Sequence, residues 1–372
     1  MAKGARARVL AHVVGVRPNY VKASAVLRAT EALPSVRNLL IDTGQHYDAS
    51  LREALYRDLA LRPPDRYLGV GSGSHARQTA AVMIAFEDVL RESRPDAVVV
   101  YGDVNSTMAA ALVAAKLSVP VAHVEAGLRS FDRTMPEEIN RVVTDGVADL
   151  LLPPSADAEA NLLREGASRE RIRFVGNVMI DALHAALPRA LESSVLRRIE
   201  LPPEGYALLT VHRPHNVDQE QAIARVVEAI AEIQRTLPVL FPAHPRTRAS
   251  LKATGLEDRL AAMPGVRMTG PLGYLDFLCV QASARVVLTD SGGVQEETSV
   301  LGVPCVTLRD NTERPVTISH GTNQLAGTSP TRIVTAFREA AARPRRPAVI
   351  EGWDGQAGPR VARALEGLLS GR

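Results

Sequence analysis

Cysteine is almost absent from this chain. Cys279 and Cys305 are the only two, each set inside an apolar segment, and two reduced, buried thiols exclude a disulfide scaffold and offer too few ligands for a zinc site. Net charge is also scarce. The formal value is +3 over 372 residues, with Lys and Arg scattered rather than clustered, which argues against a nucleic-acid or membrane partner. No uninterrupted apolar run approaches the ~20 residues of a membrane span. The basic start MAKGARARVLAHVVG has too short an apolar part for a signal peptide and reads as a first strand, so a cytoplasmic protein is expected. Two nucleotide fingerprints are missing as well. Gly15-Val16-Arg17-Pro18-Asn19 lacks the G-x-G-x-x-G spacing of dinucleotide binders, and no G-x-x-x-x-G-K-[ST] loop occurs anywhere. His46, His75, His212 and His244 form no metal-binding spacing, so no metal is expected.

What is present is an ordinary soluble composition, 46% hydrophobic and 23% charged, in a chain long enough for two domains. Short apolar strands alternate with helical patterns. Val9 to Val14, Leu39 to Ile41, Ala97 to Val100 and Val119 to Val124 read as strands, with helices expected over residues 75–92 and from about Thr107 to Lys116. Pro136 opens a further helix, with Ile139, Val142, Val143 and Val147 on its apolar face. After about residue 178 the pattern restarts, with strands at Ala207 to Val211, Val239 to Phe241, Val266 to Met268, Val286 to Leu288 and Val303 to Leu308. The alternation predicts an α/β fold of two Rossmann-like, doubly wound parallel-sheet domains with a cleft between their strand ends. The expected division is an N-terminal domain over 1–185, a linker over 186–205, a C-terminal domain over 206–355, and a helix over 356–372 that crosses back onto the first domain.

The stretch Thr289-Asp290-Ser291-Gly292-Gly293 follows a buried-strand pattern and opens a helix. Its capping side chains and glycines fit either an ordinary strand-to-helix turn or an anion site at a helix N-terminus. Polar residues also collect at other predicted strand ends, where open parallel sheets bind ligands. In the first half these are Arg17, Lys22, His46, Asp103, Glu125, Arg129, Glu137 and Glu138; in the second, His212, Arg213, His244, Arg246, Asp290, Ser291, Glu296, Glu297 and Arg314. The first set is rich in carboxylates, the second in groups that suit an anionic leaving group. Asp103 and Glu125 could merely cap turns, one of Glu137 and Glu138 is expected to serve the helix dipole, and His212 could be a packed histidine. His12, inside the first strand, reads as core.

Nearly end to end, the ordered motifs carry a family likeness. They run through Gly15-Val16-Arg17-Pro18 with Lys22, Thr43-Gly44-Gln45-His46, Gly102-Asp103, His123-Val124-Glu125-Ala126-Gly127-Leu128-Arg129, and Pro136-Glu137-Glu138 with Asn140-Arg141. In the second half they are Gly176-Asn177, His212-Arg213, His244-Pro245, Leu288 to Glu297, Arg309 to Pro315 and Gly321-Thr322-Asn323. The chain resembles the non-hydrolysing UDP-N-acetylglucosamine 2-epimerases, which share the glycosyltransferase B-like fold. The resemblance implies a UDP-sugar substrate, a homodimer, no cofactor, and a reaction in which the C2 proton is removed as UDP leaves C1; the resulting 2-acetamidoglucal then takes UDP back with C2 inverted. It implies Asp103, Glu125 and Glu137 as acid–base carboxylates, with His212 as a further catalytic group. UDP would be held by Arg17, Lys22, Arg141, Arg213, His244, Phe277, Ser291, Gly292, Gly293, Glu297 and Arg314. Two segments depart from many bacterial members: Tyr47-Asp48 stands for Arg-Glu-Met, and Pro214-His215-Asn216 for Arg-Glu-Asn. Tyr47-Asp48 is also similar to relatives acting on UDP-2,3-diacetamido-glucuronate. That sugar, a hydrolysing epimerase and a glycosyltransferase of the same fold are the alternatives.

Overall fold

The computed structural model of the chain describes residues 7–45 and 49–371. His46 and the Tyr47-Asp48 pair lie outside the described residues. Two compact units emerge, Met1–His184 with Glu351–Arg372, and Ala185–Ile350.

The first unit is built on β1 (Arg8–Val14), β2 (Val36–Asp42), β3 (Arg66–Tyr67), β4 (Ala97–Tyr101), β5 (Val121–Val124) and β6 (Leu150–Leu152). They form one sheet in the order β3-β2-β1-β4-β5-β6, every pairing parallel. The second unit repeats the plan with β7 (Ala207–Thr210), β8 (Val239–Pro242), β9 (Val266–Thr269), β10 (Val286–Thr289), β11 (Cys305–Thr307) and β12 (Asn323–Leu325) in the order β12-β11-β10-β7-β8-β9, again all parallel. Helices cover both faces of such sheets, which is why β4, AVVVY, and β10, VVLT, are buried along their whole length.

In each unit the strand order reverses once, between β1 and β4 and between β7 and β10. Chains leaving neighbouring strands in opposite directions open a crevice at the carboxyl ends there. The turns after these four strands therefore set the place of any ligand.

The helix Ala357–Ser370 belongs to the first unit and packs on the helix Arg17–Thr30. Its first N–H groups would otherwise be orphaned; those of Ala357 and Gly358 donate to the Asp181 carboxylate at 3.1 and 2.7 Å. Within residues 186–205 lie the end of the helix Val178–Leu191 and the short helix Val195–Arg198, and Val195 and Leu201 are buried in a core of the second unit. Among the described residues, no helix is long and apolar enough to cross a membrane.

One helix meets its sequence pattern only in part: Val147 packs against the core of the first unit and Val143 is half-buried. Ile139 and Val142 of Pro136–Val147 are exposed, while Glu138, Asn140, Arg141, Thr144 and Asp145 are buried. The polar face turns inward because it is hydrogen-bonded to the turns that follow β4 and β5.

Candidate functional site

In the first unit the turn after β1 is tied to the end of β4 by Asn19. Its side-chain oxygen accepts from the N–H groups of Gly15 and Val16, both at 3.2 Å, and its amide donates to the Tyr101 carbonyl at 2.8 Å. Arg17, at the start of the following helix, is exposed. Lys22, one turn further, is buried and donates to Glu125 Oε1 at 2.6 Å. Glu125 ends β5 with φ of +72°, a left-handed conformation that a non-glycine residue holds only where its surroundings impose it. Gly102 is part of that surrounding. At φ +65°, a Cβ there would sit 2.6 Å from Lys22 Nζ and 3.4 Å from Glu125 Oε1, so the ion pair requires glycine.

Asp103 follows Gly102. Its Oδ2 accepts from Arg141 Nε at 3.0 Å, with Nη2 2.8 Å away, and its carbonyl accepts from Asn140 Nδ2 at 2.9 Å. Glu138 is buried and used structurally. It takes the N–H groups of Ser130 and Phe131 at 2.9 Å, the Ser130 hydroxyl at 3.1 Å, and an ion pair with Arg141. Glu137 beside it is half-buried, so of the two only Glu138 is the buried, loop-holding residue.

Behind the turn, His123 in β5 faces Asp145 Oδ1 through Nδ1 at 2.6 Å and the Gly102 carbonyl through Nε2 at 2.8 Å. Burial alone would raise the Asp145 carboxyl, but His123 and Arg129 beside it hold it below the usual carboxylate range. Arg129 also donates to Glu165 and, at 2.8 Å, to the Leu128 carbonyl. His12 is core: Tyr101 and Asn38 bracket its ring, and burial lowers its pKa to about 4.

In the second unit, Asp290 follows β10 and is fully buried. It does not cap the helix Gly292–Leu301. It accepts instead from the N–H groups of His212 and Arg213 at 3.0 and 2.9 Å and from Asn216 Nδ2 at 3.0 Å, with His212 Nδ1 3.2 Å away. Burial opposes its ionisation, yet the His212 ring and these hydrogen bonds hold the carboxyl well below the usual range. Thr289 Oγ1 accepts from Ser291 N at 3.0 Å, and the Ser291 hydroxyl makes no capping bond. Helix-start N–H groups at this turn are therefore left by the chain's own caps to other acceptors.

Around that turn, the His212 and His244 rings lie 5.8 Å apart, and His244 caps the helix Pro245–Ala253 through the Arg246 N–H at 3.2 Å. Arg246 itself pairs with Asp218 at the surface. Arg213 lies 3.5 Å from Glu313, whose carboxylate also meets Arg309 at 2.8 Å and Arg314 at 2.6 Å. Arg314 Nε is 2.8 Å from Glu296, and a Cβ on Gly292 would fall 2.2 Å from Arg314 Nη1. Arg314 is thus buried against the helix start rather than displayed. Glu297 is buried on the same helix, Gly293 stands in its first turn, and Phe277 packs beside the Cys279 and Val280 core.

Asn19, Asn105 and Asp145 carry much of this arrangement and escaped the sequence reading. Asn105 joins His75, Gln78 and Asn140. The 138, 141, 145 spacing, one helical face of charged residues, was the available signal.

A family model described as UDP-N-acetylglucosamine 2-epimerase matches residues 28–366. A UDP-N-acetylglucosamine 2-epimerase from Methanocaldococcus jannaschii is 42% identical over 361 residues, 96% of this chain and 98% of that protein. A UDP-2,3-diacetamido-2,3-dideoxy-D-glucuronate 2-epimerase from Pseudomonas aeruginosa is 39% identical over 364 residues, covering 96% and 99%. The crystal structure of the M. jannaschii UDP-GlcNAc 2-epimerase in complex with UDP-GlcNAc and UDP matches with a TM-score of 0.91 at 41% identity, over 96% of this chain and 99% of that one.

Proposed function

The chain belongs to the UDP-N-acetylglucosamine 2-epimerase family, and on that premise we propose that it inverts C2 of UDP-N-acetylglucosamine to give the manno epimer without hydrolysing it. The reaction is an isomerisation. The C2–H bond breaks, its electrons form a C1=C2 bond, and the C1–O bond breaks as UDP leaves with its electron pair. UDP returns to C1 while a proton is delivered to the opposite face of C2.

The C2 hydrogen is not acidic, so UDP departure must develop positive charge at C1 before the proton can go. Groups that stabilise the departing diphosphate therefore carry much of the barrier lowering. We assign that work to Arg213, His212, His244, Ser291 and the N–H groups of Gly292 and Gly293, with Glu297 on the ribose, Phe277 near the uracil, and Arg17 as a further cation for the diphosphate. Proton transfer falls to Asp103, Glu125 and Glu137. Lys22, Arg141 and Arg314 act through carboxylates of the protein, Glu125, Asp103 and Glu296 with Glu313 respectively.

One observation carries this reading: two carboxylates, Asp103 and Glu125, stand at the strand ends of the first unit, each in contact with a buried cation. A protein that only held a UDP-sugar would have no use for such a pair. The test is incubation of UDP-N-acetylglucosamine in deuterated water. Deuterium should enter C2 as the manno product appears, with no free UDP accumulating. No exchange with any UDP-2-acetamido sugar would sink the proposal, and stoichiometric free UDP would make the enzyme a hydrolysing one.

A second reading, UDP-2,3-diacetamido-glucuronate as substrate, has the P. aeruginosa relative in its favour at nearly the same identity. The same assay on both sugars decides between them. We also propose a cytoplasmic homodimer. Phe131, Ile139 and Val142, apolar and exposed on one loop and helix, supply the kind of surface a second copy would cover. Light scattering giving a monomer mass would remove that part.

A further inference from the structure

Arg141 is placed where no substrate anion is needed to explain it. Its side chain is only 2% exposed, and Nε and Nη2 meet Asp103 Oδ2 while Nη1 donates to Glu138 Oε2. A planar guanidinium directed at two carboxylates of its own chain is held in one orientation. Asn140, the neighbouring residue on the helix Pro136–Val147, takes the Asp103 carbonyl at 2.9 Å. Glu138, three residues before Arg141, is itself fixed by the Ser130 and Phe131 N–H groups and the Ser130 hydroxyl. The chain of contacts runs from the 130–131 loop through Glu138 and Arg141 to Asp103.

We infer that Arg141 is a positioning residue: it fixes the Asp103 carboxylate in place and in its charged form, and Glu138 sets how much of the Arg141 charge Asp103 feels. The inference rests on the reading above that Asp103 is one of the acid–base carboxylates. It removes Arg141 from the groups that bind UDP. Other charges also face this turn. Lys22 and Glu125 lie against Gly102, 2.6 and 3.4 Å from where its Cβ would be. His123 reaches the Gly102 carbonyl at 2.8 Å, with Asp145 and Arg129 behind it. His75 approaches Asn105 at 3.1 Å, and Asn105 accepts from Asn140 at 3.2 Å. Arg141 meets the Asp103 carboxylate itself, through Nε and Nη2.

The experiment compares wild type, Arg141→Gln, Arg141→Lys and Glu138→Gln by two readouts: steady-state kinetics from pH 5 to 9, and titration of the Asp103 carboxyl carbon by NMR, its signal assigned with Asp103→Asn. In Arg141→Gln, kcat should fall by about 10²-fold, the effect of a misplaced reacting group, with KM for the UDP-sugar nearly unchanged. The Asp103 midpoint should rise by about 1–3 pH units, the usual effect of losing an adjacent arginine. Arg141→Lys should recover part of the midpoint and less of kcat, since a point charge lacks the fork. Glu138→Gln should move the midpoint to lower pH.

A KM increase at constant kcat would make Arg141 a substrate-binding group and overturn the inference, as would an Asp103 midpoint that stays put. If the Arg141 variants do not fold, Glu138→Gln decides: a midpoint shifted down supports the inference, and one unmoved or shifted up ends it. Absence of C2 exchange in wild type would instead defeat the functional reading, and the NMR titration would still decide the placement of Arg141.

Discussion

The strand-end turns at and beside the two switch points share one topology and use their acidic residues in opposite ways. After β4 and β5 in the first unit, Asp103 and Glu125 are each met by a buried cation, Arg141 and Lys22. After β10 in the second unit, the single carboxylate, Asp290, is absorbed by the backbone of the β7 turn and by Asn216. Beside that turn stand a helix start and the residues His212, Arg213 and Ser291, to which the proposed function assigns UDP. On the proposed function, a strand-end carboxylate would serve chemistry in one unit and scaffolding in the other, and only its partners tell the two apart.

The comparison can be broken by the same change made on both sides. Asp103→Asn and Glu125→Gln should lower turnover by about 10²–10⁴-fold, the range for general acid–base groups, and leave UDP affinity measured by calorimetry nearly intact. Asp290→Asn should behave the other way round. Its new amide would confront the donors of His212, Arg213 and Asn216, destabilising the second unit by about 3 kcal/mol and weakening UDP binding because the His212-Arg213 turn loses its anchor. If Asp290→Asn kept UDP affinity while losing turnover, Asp290 would belong with the catalytic carboxylates and the contrast would collapse.

Acid should also separate the units. His12 is fully buried, and burial lowers its pKa from 6.5 to about 4. Unfolded His12 takes up a proton near pH 6.5 and folded His12 only near 4, so stability is lost as pH falls between those values. At 1.36 kcal/mol per unit the loss is roughly 3 kcal/mol by pH 4. Asp290 has a depressed folded pKa, so its contribution is intact above the ordinary carboxylate pKa of about 4 and is lost only below it. His215 in the second unit is lowered by burial too, but it lies near the surface and weighs less. The one tryptophan, Trp353, is buried in the first unit with its indole N–H on the Pro154 carbonyl at 3.0 Å. Urea unfolding followed by its fluorescence should therefore weaken between pH 7.5 and 5, and His12→Asn should flatten that dependence. An unchanged urea midpoint over that range would show that His12 is not buried neutral.

Much of the fold was open to sequence reading because parallel strands buried on both faces are continuous apolar runs. AVVVY and VVLT could hardly be anything else between helical patterns. The edge strands β3 and β12 were missed because they are two or three residues long and polar in Arg66 and Asn323; β6, Leu150-Leu151-Leu152, is apolar and buried, and was missed for its shortness alone. The helix Pro136–Val147 was found with only part of its buried face, Val143 and Val147, since hydrophobic spacing assumes that a buried face is apolar. Here the buried face satisfies polar turns, and Ile139 and Val142 are left outside. Candidate site residues were legible as types at strand ends, whereas their roles were not. Lys22 and Arg314 were read as phosphate ligands, and their contacts with Glu125, Glu296 and Glu313 come only from the structure.

The smallest expected effect tests the other half of the comparison, the claim that the β10 turn keeps its helix start for a ligand. Ser291 occupies the N-cap position, yet its hydroxyl makes no capping bond. Were it a working cap, Ser291→Ala would cost about 1 kcal/mol of stability; as it is not, the change should stay within about 0.5 kcal/mol, like other uncommitted sites. The loss should appear in UDP affinity instead. One hydrogen bond to a charged group is worth about 1.5–3 kcal/mol, or about 10- to 100-fold in Kd. Thr289→Val is the counterpart, because Thr289 Oγ1 takes the Ser291 N–H at 3.0 Å and bridges to Thr210 Oγ1 at 2.7 Å, joining β10 to β7. That variant should lose stability as well as affinity. A Ser291→Ala protein that melts earlier but binds UDP as tightly would mean that the hydroxyl serves the helix, and the turn would revert to an ordinary strand-to-helix connection.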